Sequence, residues 1–202
     1  MARNGMYAST WLFNRLPYPL VRRIGDVFIA IGFCFTIRLK RIARESLQIA
    51  FGQTKNFQEI EAIIRKNFEN FGQGMIELIY FMGHPSMINE KVTIDGKEHL
   101  DQALREGNGV IAVSAHFGNF PLMLLRLAQE GYKASAIIRP TRDQEIEKYF
   151  LQQRTRLGLN TIYSQPRKLC VDNTIRVLRN NELVFIPLDQ NFGSGAGVFV
   201  EF

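Results

Sequence analysis

The sequence predicts an α/β fold: a mostly parallel sheet flanked by helices, preceded by an N-terminal membrane-associated helical segment. Three observations carry this expectation. From Val92 onward, short apolar runs alternate with amphipathic stretches, the order that builds βαβ units. From Phe57 to Phe81, apolar residues recur at helical spacing. Before that, the apolar run Val27 to Ile37 is bracketed by Arg22 and Arg23 on one side and Arg38, Lys40, Arg41 and Arg44 on the other. The change of character divides the chain into a basic, apolar segment at 1–55 and an α/β domain at 56–202. The last apolar stretch stops inside an expected strand, so the domain is read as incomplete and the chain as truncated at its C-terminus.

A chain of 202 residues is one domain, or one domain with an appendage. Its apolar share, 46%, is ordinary for a globular protein and sufficient for a core. The net charge of +6 suits an anionic partner or surface. The basic residues cluster around an apolar run without interleaved aromatics, which argues against nucleic acid. Cys34 and Cys170 stand alone and far apart, so neither a disulfide framework nor a zinc site is indicated. His84, His99 and His116 lack metal-ligand spacing, and no phosphate loop or dinucleotide fingerprint occurs. No cofactor or metal is expected.

Taken in order, the Val27–Ile37 run is shorter than the roughly 20 apolar residues needed to span a bilayer. The basic stretch after it, with no small-residue cleavage site, is not that of a signal peptide. A helix in the membrane interface, held by cations on anionic headgroups, fits its composition. A buried core helix with solvated basic ends is the other reading. The helix from Phe57 ends at His84-Pro85. A strand is expected at Val92–Ile94, closed by Asp95-Gly96. After it come a helix Glu98–Glu106, a strand Val110–Ser114, a helix Leu122–Glu130 stopped by Gly131, and a strand Lys133–Ile138. The charged stretch Asp143–Leu157 is a helix ended by Gly158. A strand near Asn160–Tyr163, a helix Leu169–Arg179, a strand Leu183–Ile186 and the start of a strand at Val198–Val200 complete the pattern.

The chemistry is expected at the carboxyl ends of these strands, where parallel α/β sheets place their ligand-binding loops. There the strand Val110–Ser114 runs into Ala115-His116-Phe117-Gly118-Asn119. A neutral imidazole can take a proton from an alcohol near neutral pH. Gly118 permits close backbone approach, and Asn119 can cap the helix beginning near Phe120. Amides there could hold developing negative charge. The alternative for His116 is a satisfied turn residue. Ser114, without an elbow turn, is read as structural. Arg139-Pro140 and Leu188-Asp189-Gln190 end two further strands on the same edge. A histidine, an arginine and a carboxylate so placed suit acyl transfer. Alternatively, Arg139 pairs with Asp143 or Glu145 at the surface, and Asp189 caps a turn.

His116-Phe117-Gly118-Asn119-Phe120 resembles the H-F-G-N-W of the bacterial lipid A late acyltransferases, the lauroyl/myristoyl acyltransferase family of the wider lysophospholipid acyltransferase group. Arg139-Pro140, Asp189-Gln190 and Gly197-Val198-Phe199-Val200-Glu201-Phe202 follow in the family's order and at similar spacing. The basic-flanked apolar N-terminus and the Arg44-to-Phe51 segment are also similar. The resemblance covers nearly the whole chain, and family members normally continue past this point. It implies transfer of a fatty acyl group from acyl carrier protein or acyl-CoA to a hydroxyl of a glycolipid. The place implied is the cytoplasmic face of the cell inner membrane. His116 would be the general base, with Arg139 stabilising the oxyanion or steering substrate. Phe117, Gly118, Asn119, Gln190 and Arg142 would line the substrate site. Arg139, Arg142, Arg154, Arg156, Arg167 and Lys168 are candidates for docking an acidic carrier protein; the last four fit a solvated helix face or loop equally well.

One position departs from the family. Its motif has a carboxylate five residues after the histidine, and here that position is Pro121. Proline suits the first turn of a helix, so the fold tolerates it. The histidine loses its acid, however, and such a loss costs on the order of 10⁴ in rate in the serine-protease case. Two outcomes are expected: another acid, Asp189 foremost, reaches His116 Nδ1, or the chain is a silent relative that binds lipid or carrier protein without turnover.

Overall fold

The computed structural model describes residues 10–52 and 54–190. The chain divides into two units, Met1–Val92 and Thr93–Phe202. The helix that opens the expected α/β domain at residue 56 thus belongs by its contacts with the helices before it.

The first unit contains α1 (Tyr18–Phe35), α2 (Ile37–Phe51), α3 (Phe57–Gly83) and α4 (Pro85–Lys91). Asn56 starts α3 with a capping box: its side chain accepts from the Glu59 amide, and the Glu59 carboxylate accepts from the Asn56 amide. α1 lies antiparallel on α3. Tyr18 meets Phe81 near one end of the pair, and Phe33 meets Phe68 near the other. Between them the helices cross closely, because Gly25 faces Ile76 and Gly72 faces Ile29 with no room for a Cβ at either. Val21, Gly25 and Ile29, one helical face of α1, are buried there. The opposite side leaves Leu20, Val27, Phe28, Ile31 and Phe35 exposed. Arg44 of α2 ties to Glu61 of α3 at 2.6 Å.

The second unit runs α5 (Lys97–Arg105), β1 (Val110–Ser114), α6 (Phe120–Gln129), β2 (Ala134–Ile138), α7 (Gln144–Arg156), β3 (Asn160–Tyr163), α8 (Arg167–Arg179) and β4 (Leu183–Pro187). All four strands are parallel, in the order β1-β4-β2-β3. The register pairs Ser114 with Pro187 and Ala136 with Phe185, which fixes the faces. Phe185 stacks on Phe120 of α6, and Thr161 of the same face bonds Arg154 of α7. On the other face Ile162, Val184 and Val177 of α8 form a buried cluster.

Two expectations are corrected. Val92–Ile94 is not a strand among the described residues: it has no ladder partner there and links α4 to α5 as irregular chain. Three apolar residues fit the β pattern, but a strand exists only where another accepts its hydrogen bonds. The short helix α4 was not expected; Pro85 opens it, and seven residues give periodicity little to register. The expected strand at Val198–Val200 lies outside the described residues.

Candidate active site

β1 and β4 are neighbours, and their carboxyl ends are locked level by the Leu188 amide donating to the Ser114 carbonyl at 3.0 Å. Beyond this bond each strand runs on without ladder pairing, to His116 on one side and Asp189 on the other. Asp189 then holds His116 twice. Its Oδ2 accepts from the His116 backbone amide at 3.0 Å, and its Oδ1 lies 2.8 Å from the ring Nδ1. The carboxylate accepts a hydrogen bond from Nδ1–H, the tautomer in which Nε2 carries the free lone pair. Phe120 fixes the ring edge-on, with centroids 5.2 Å apart. The imidazole remains about a third exposed.

The hydrogen bond from the His116 ring is the largest influence on Asp189, and with the backbone amide it holds that carboxyl below its ordinary range. Burial pushes the other way and loses. Pro121 occupies the first turn of α6, where its missing amide removes no helical bond. The carboxylate that meets His116 comes instead from the segment that follows β4.

The other expected residues gather at the same edge to different degrees. Arg139 directly follows β2, which adjoins β4, so it ends the strand next but one to that of His116. At the usual strand spacing this is about 10 Å away, within reach of a long guanidinium side chain. It is exposed. Arg142 is exposed in the following loop. Phe117 is 87% exposed, and Gly118 adopts φ +59° with open space where a Cβ would stand. Gln190 is exposed next to Asp189. Asn119 does precede α6, yet its side chain makes no cap bond; its φ of −100° and ψ of 57° lie off the extended geometry that caps use. Ser114 Oγ bonds locally, to the Ala115 carbonyl at 3.4 Å.

One docking candidate is corrected. Arg154 is only 9% exposed, and its Nη2 donates to Glu147 at 2.7 Å, so it offers nothing to a carrier protein. Glu147 was not singled out from the sequence, because α7 reads as a charged surface helix. The available signal was its spacing: Glu147 and Arg154 lie seven residues, about two turns, apart on one face.

The family model for bacterial lipid A biosynthesis acyltransferases matches residues 6–202. The chain is 27% identical to the lipid A biosynthesis palmitoleoyltransferase of Escherichia coli over 195 residues, 95% of this chain and 61% of that protein. It is 26% identical to the lauroyltransferase of the same organism over 191 residues, 94% of this chain and 60% of that one. A lipid A biosynthesis acyltransferase of Haemophilus influenzae is also 26% identical, over 93% of this chain and 58% of its own length. The chain thus spans about three-fifths of the length of these relatives. With its histidine turn, its sheet-edge arginine and its matched span, the chain belongs to the bacterial lipid A biosynthesis acyltransferase family.

Proposed function

We propose that this chain is an acyltransferase that moves a fatty acyl group from a thioester, acyl carrier protein or acyl-CoA, to a hydroxyl of a lipid A-like glycolipid. The observation that carries the reading is the Asp189–His116 pair at the carboxyl edge of the sheet. His116 Nε2 takes the proton of the acceptor hydroxyl as the oxygen attacks the thioester carbonyl. The tetrahedral intermediate collapses with cleavage of the C–S bond, and the thiolate leaves with the proton that His116 took. Asp189 holds the ring and balances the charge on the imidazolium. Arg139 stabilises the oxyanion, and Arg142, Phe117, Gly118, Asn119 and Gln190 contact substrate. Membership of a lipid A biosynthesis family supports the acceptor class.

The first unit holds the protein on the membrane. Leu20, Val27, Phe28, Ile31 and Phe35 present one apolar side of α1 to solvent. Arg22 and Arg23 lie on the same helix and α2 adds Arg38 and Arg41, all exposed. Among the described residues no helix is long and apolar enough to cross a membrane. An amphipathic helix of this composition lies in the interface, its cations on anionic headgroups.

Pro121 favours one rival, a relative that binds acyl donor or lipid without turnover. Assay of the full-length protein with acyl carrier protein thioester and a lipid A precursor separates the two. Turnover is expected in the natural protein, with a loss on the order of 10³- to 10⁴-fold in His116→Ala and in Asp189→Asn. Unchanged turnover in His116→Ala would overturn the mechanism, and an inert natural protein would favour the rival.

A further inference from the structure

Resting on the acyltransferase reading, we infer that Glu147, which takes no part in the chemistry, is the positioning residue that holds the Arg139–Arg142 turn at the site. Between β2 and α7 the chain runs Arg139-Pro140-Thr141-Arg142-Asp143. Both arginines are exposed there, and Pro140 has no amide proton to anchor the turn. The Thr141 amide supplies the tie: it donates to Glu147 Oε2 at 2.9 Å. The Thr141 hydroxyl adds a bond to the Asp143 carbonyl at 2.9 Å, and the Asp143 side chain caps α7 at the Glu145 and Ile146 amides. The arginine-bearing turn is therefore pinned from inside the protein through one carboxylate.

That carboxylate is itself held rigidly. Glu147 is 8% exposed, and its Oε1 accepts from Arg154 Nη2 at 2.7 Å and from the Tyr163 hydroxyl at 3.2 Å. Arg154 Nε in turn donates to Thr161 Oγ1 at 3.0 Å. The network thus joins α7, β3 and the turn. Burying two charges is costly, and well-packed apolar residues often stabilise such a place equally well. A network kept for packing alone has no need to extend an oxygen to a loop amide. One kept to aim two guanidinium groups does, because a misplacement of about 1 Å can cost on the order of 100-fold in rate.

The test uses the full-length protein and two variants, Glu147→Gln and Glu147→Gln/Arg154→Met; the second removes the charge that the first leaves buried. Amide hydrogen exchange is followed across residues 139–143, and kcat and KM for the acyl thioester are measured with and without Arg139→Ala. Faster exchange at Thr141 is expected, with a fall of about 10- to 100-fold in kcat/KM that shrinks in the Arg139→Ala background. Val177→Ala, in the α8 cluster, serves as a control that lowers the melting temperature and leaves kcat/KM unchanged well below it. Unmoved exchange at Thr141, or an equal loss in the Arg139→Ala background, overturns the inference while the acyltransferase reading stands. A natural protein without turnover overturns both.

Discussion

A histidine acts as a general base only if its second nitrogen is held, and the holder may come from anywhere in the chain. In the resembled motif it comes from the next helical turn; here Asp189 arrives from just beyond β4, 73 residues away. This makes an unusual prediction for Pro121. Because Nδ1 is already engaged, Pro121→Glu is expected to leave kcat within about threefold of the natural value, whereas Asp189→Asn abolishes most of it. Assaying Pro121→Glu in the Asp189→Asn background then asks whether the two acids substitute for one another. His116 and Asp189 were legible because both terminate apolar strands, and parallel sheets bring such ends together. Glu147 was not legible, since nothing in a glutamate's neighbours on a charged helix announces a partner on β3 or an amide of the preceding turn.

Among the elements, β1 and β3 fall at their expected bounds, whereas Asp143, expected as the first residue of the charged helix, is the cap that precedes α7. The strands stood out because each is an apolar run closed by glycine or a polar turn. Val92–Ile94 shows the limit of that logic, for local pattern cannot report whether a pairing partner exists. The start of β1 depends on Gly109, whose φ is +73° and whose Cβ would lie 2.5 Å from the Leu178 carbonyl oxygen. Backbone at that distance cannot yield as a side chain would. Gly109→Ala is expected to cost about 2–4 kcal/mol in chemical denaturation, from the positive φ and the overlap together. The clasp on α7 carries its own pH signature. Burial raises the Glu147 pKa, but the Thr141 amide, Arg154 and Tyr163 outweigh it and hold the carboxyl below its ordinary value. A lowered pKa stabilises the fold above the unfolded-state value of about 4.3, and that contribution is lost as pH falls through the folded value. Melting curves from pH 6 down to 3 should therefore fall more steeply for the natural chain than for Glu147→Gln/Arg154→Met.

For the molecule as a whole, the sequence foretold a parallel α/β sheet flanked by helices. The extent of the first unit was hidden. The stripe of α3 reads equally well as the opening of the α/β domain, and only the contacts of Gly25 and Gly72 reveal it as the partner of α1. Membrane binding is testable at this scale. Phe28→Glu/Ile31→Glu in the full chain is expected to weaken co-sedimentation with vesicles containing anionic lipid by about tenfold or more, and added salt should weaken the natural protein's binding. Binding unaffected by either would return α1 to the reading of an ordinary helix with solvated ends.

Among the described residues β4 comes last in sequence, yet it lies between β1 and β2. Since it delivers Asp189, the imidazole has no acid while the nascent chain is still shorter than this strand. A member of the family with its acid one helical turn from the histidine could assemble that pair as soon as a single corner formed. In this chain, proton transfer would become possible only after β4 had docked between β1 and β2, so acquisition of activity would report that docking.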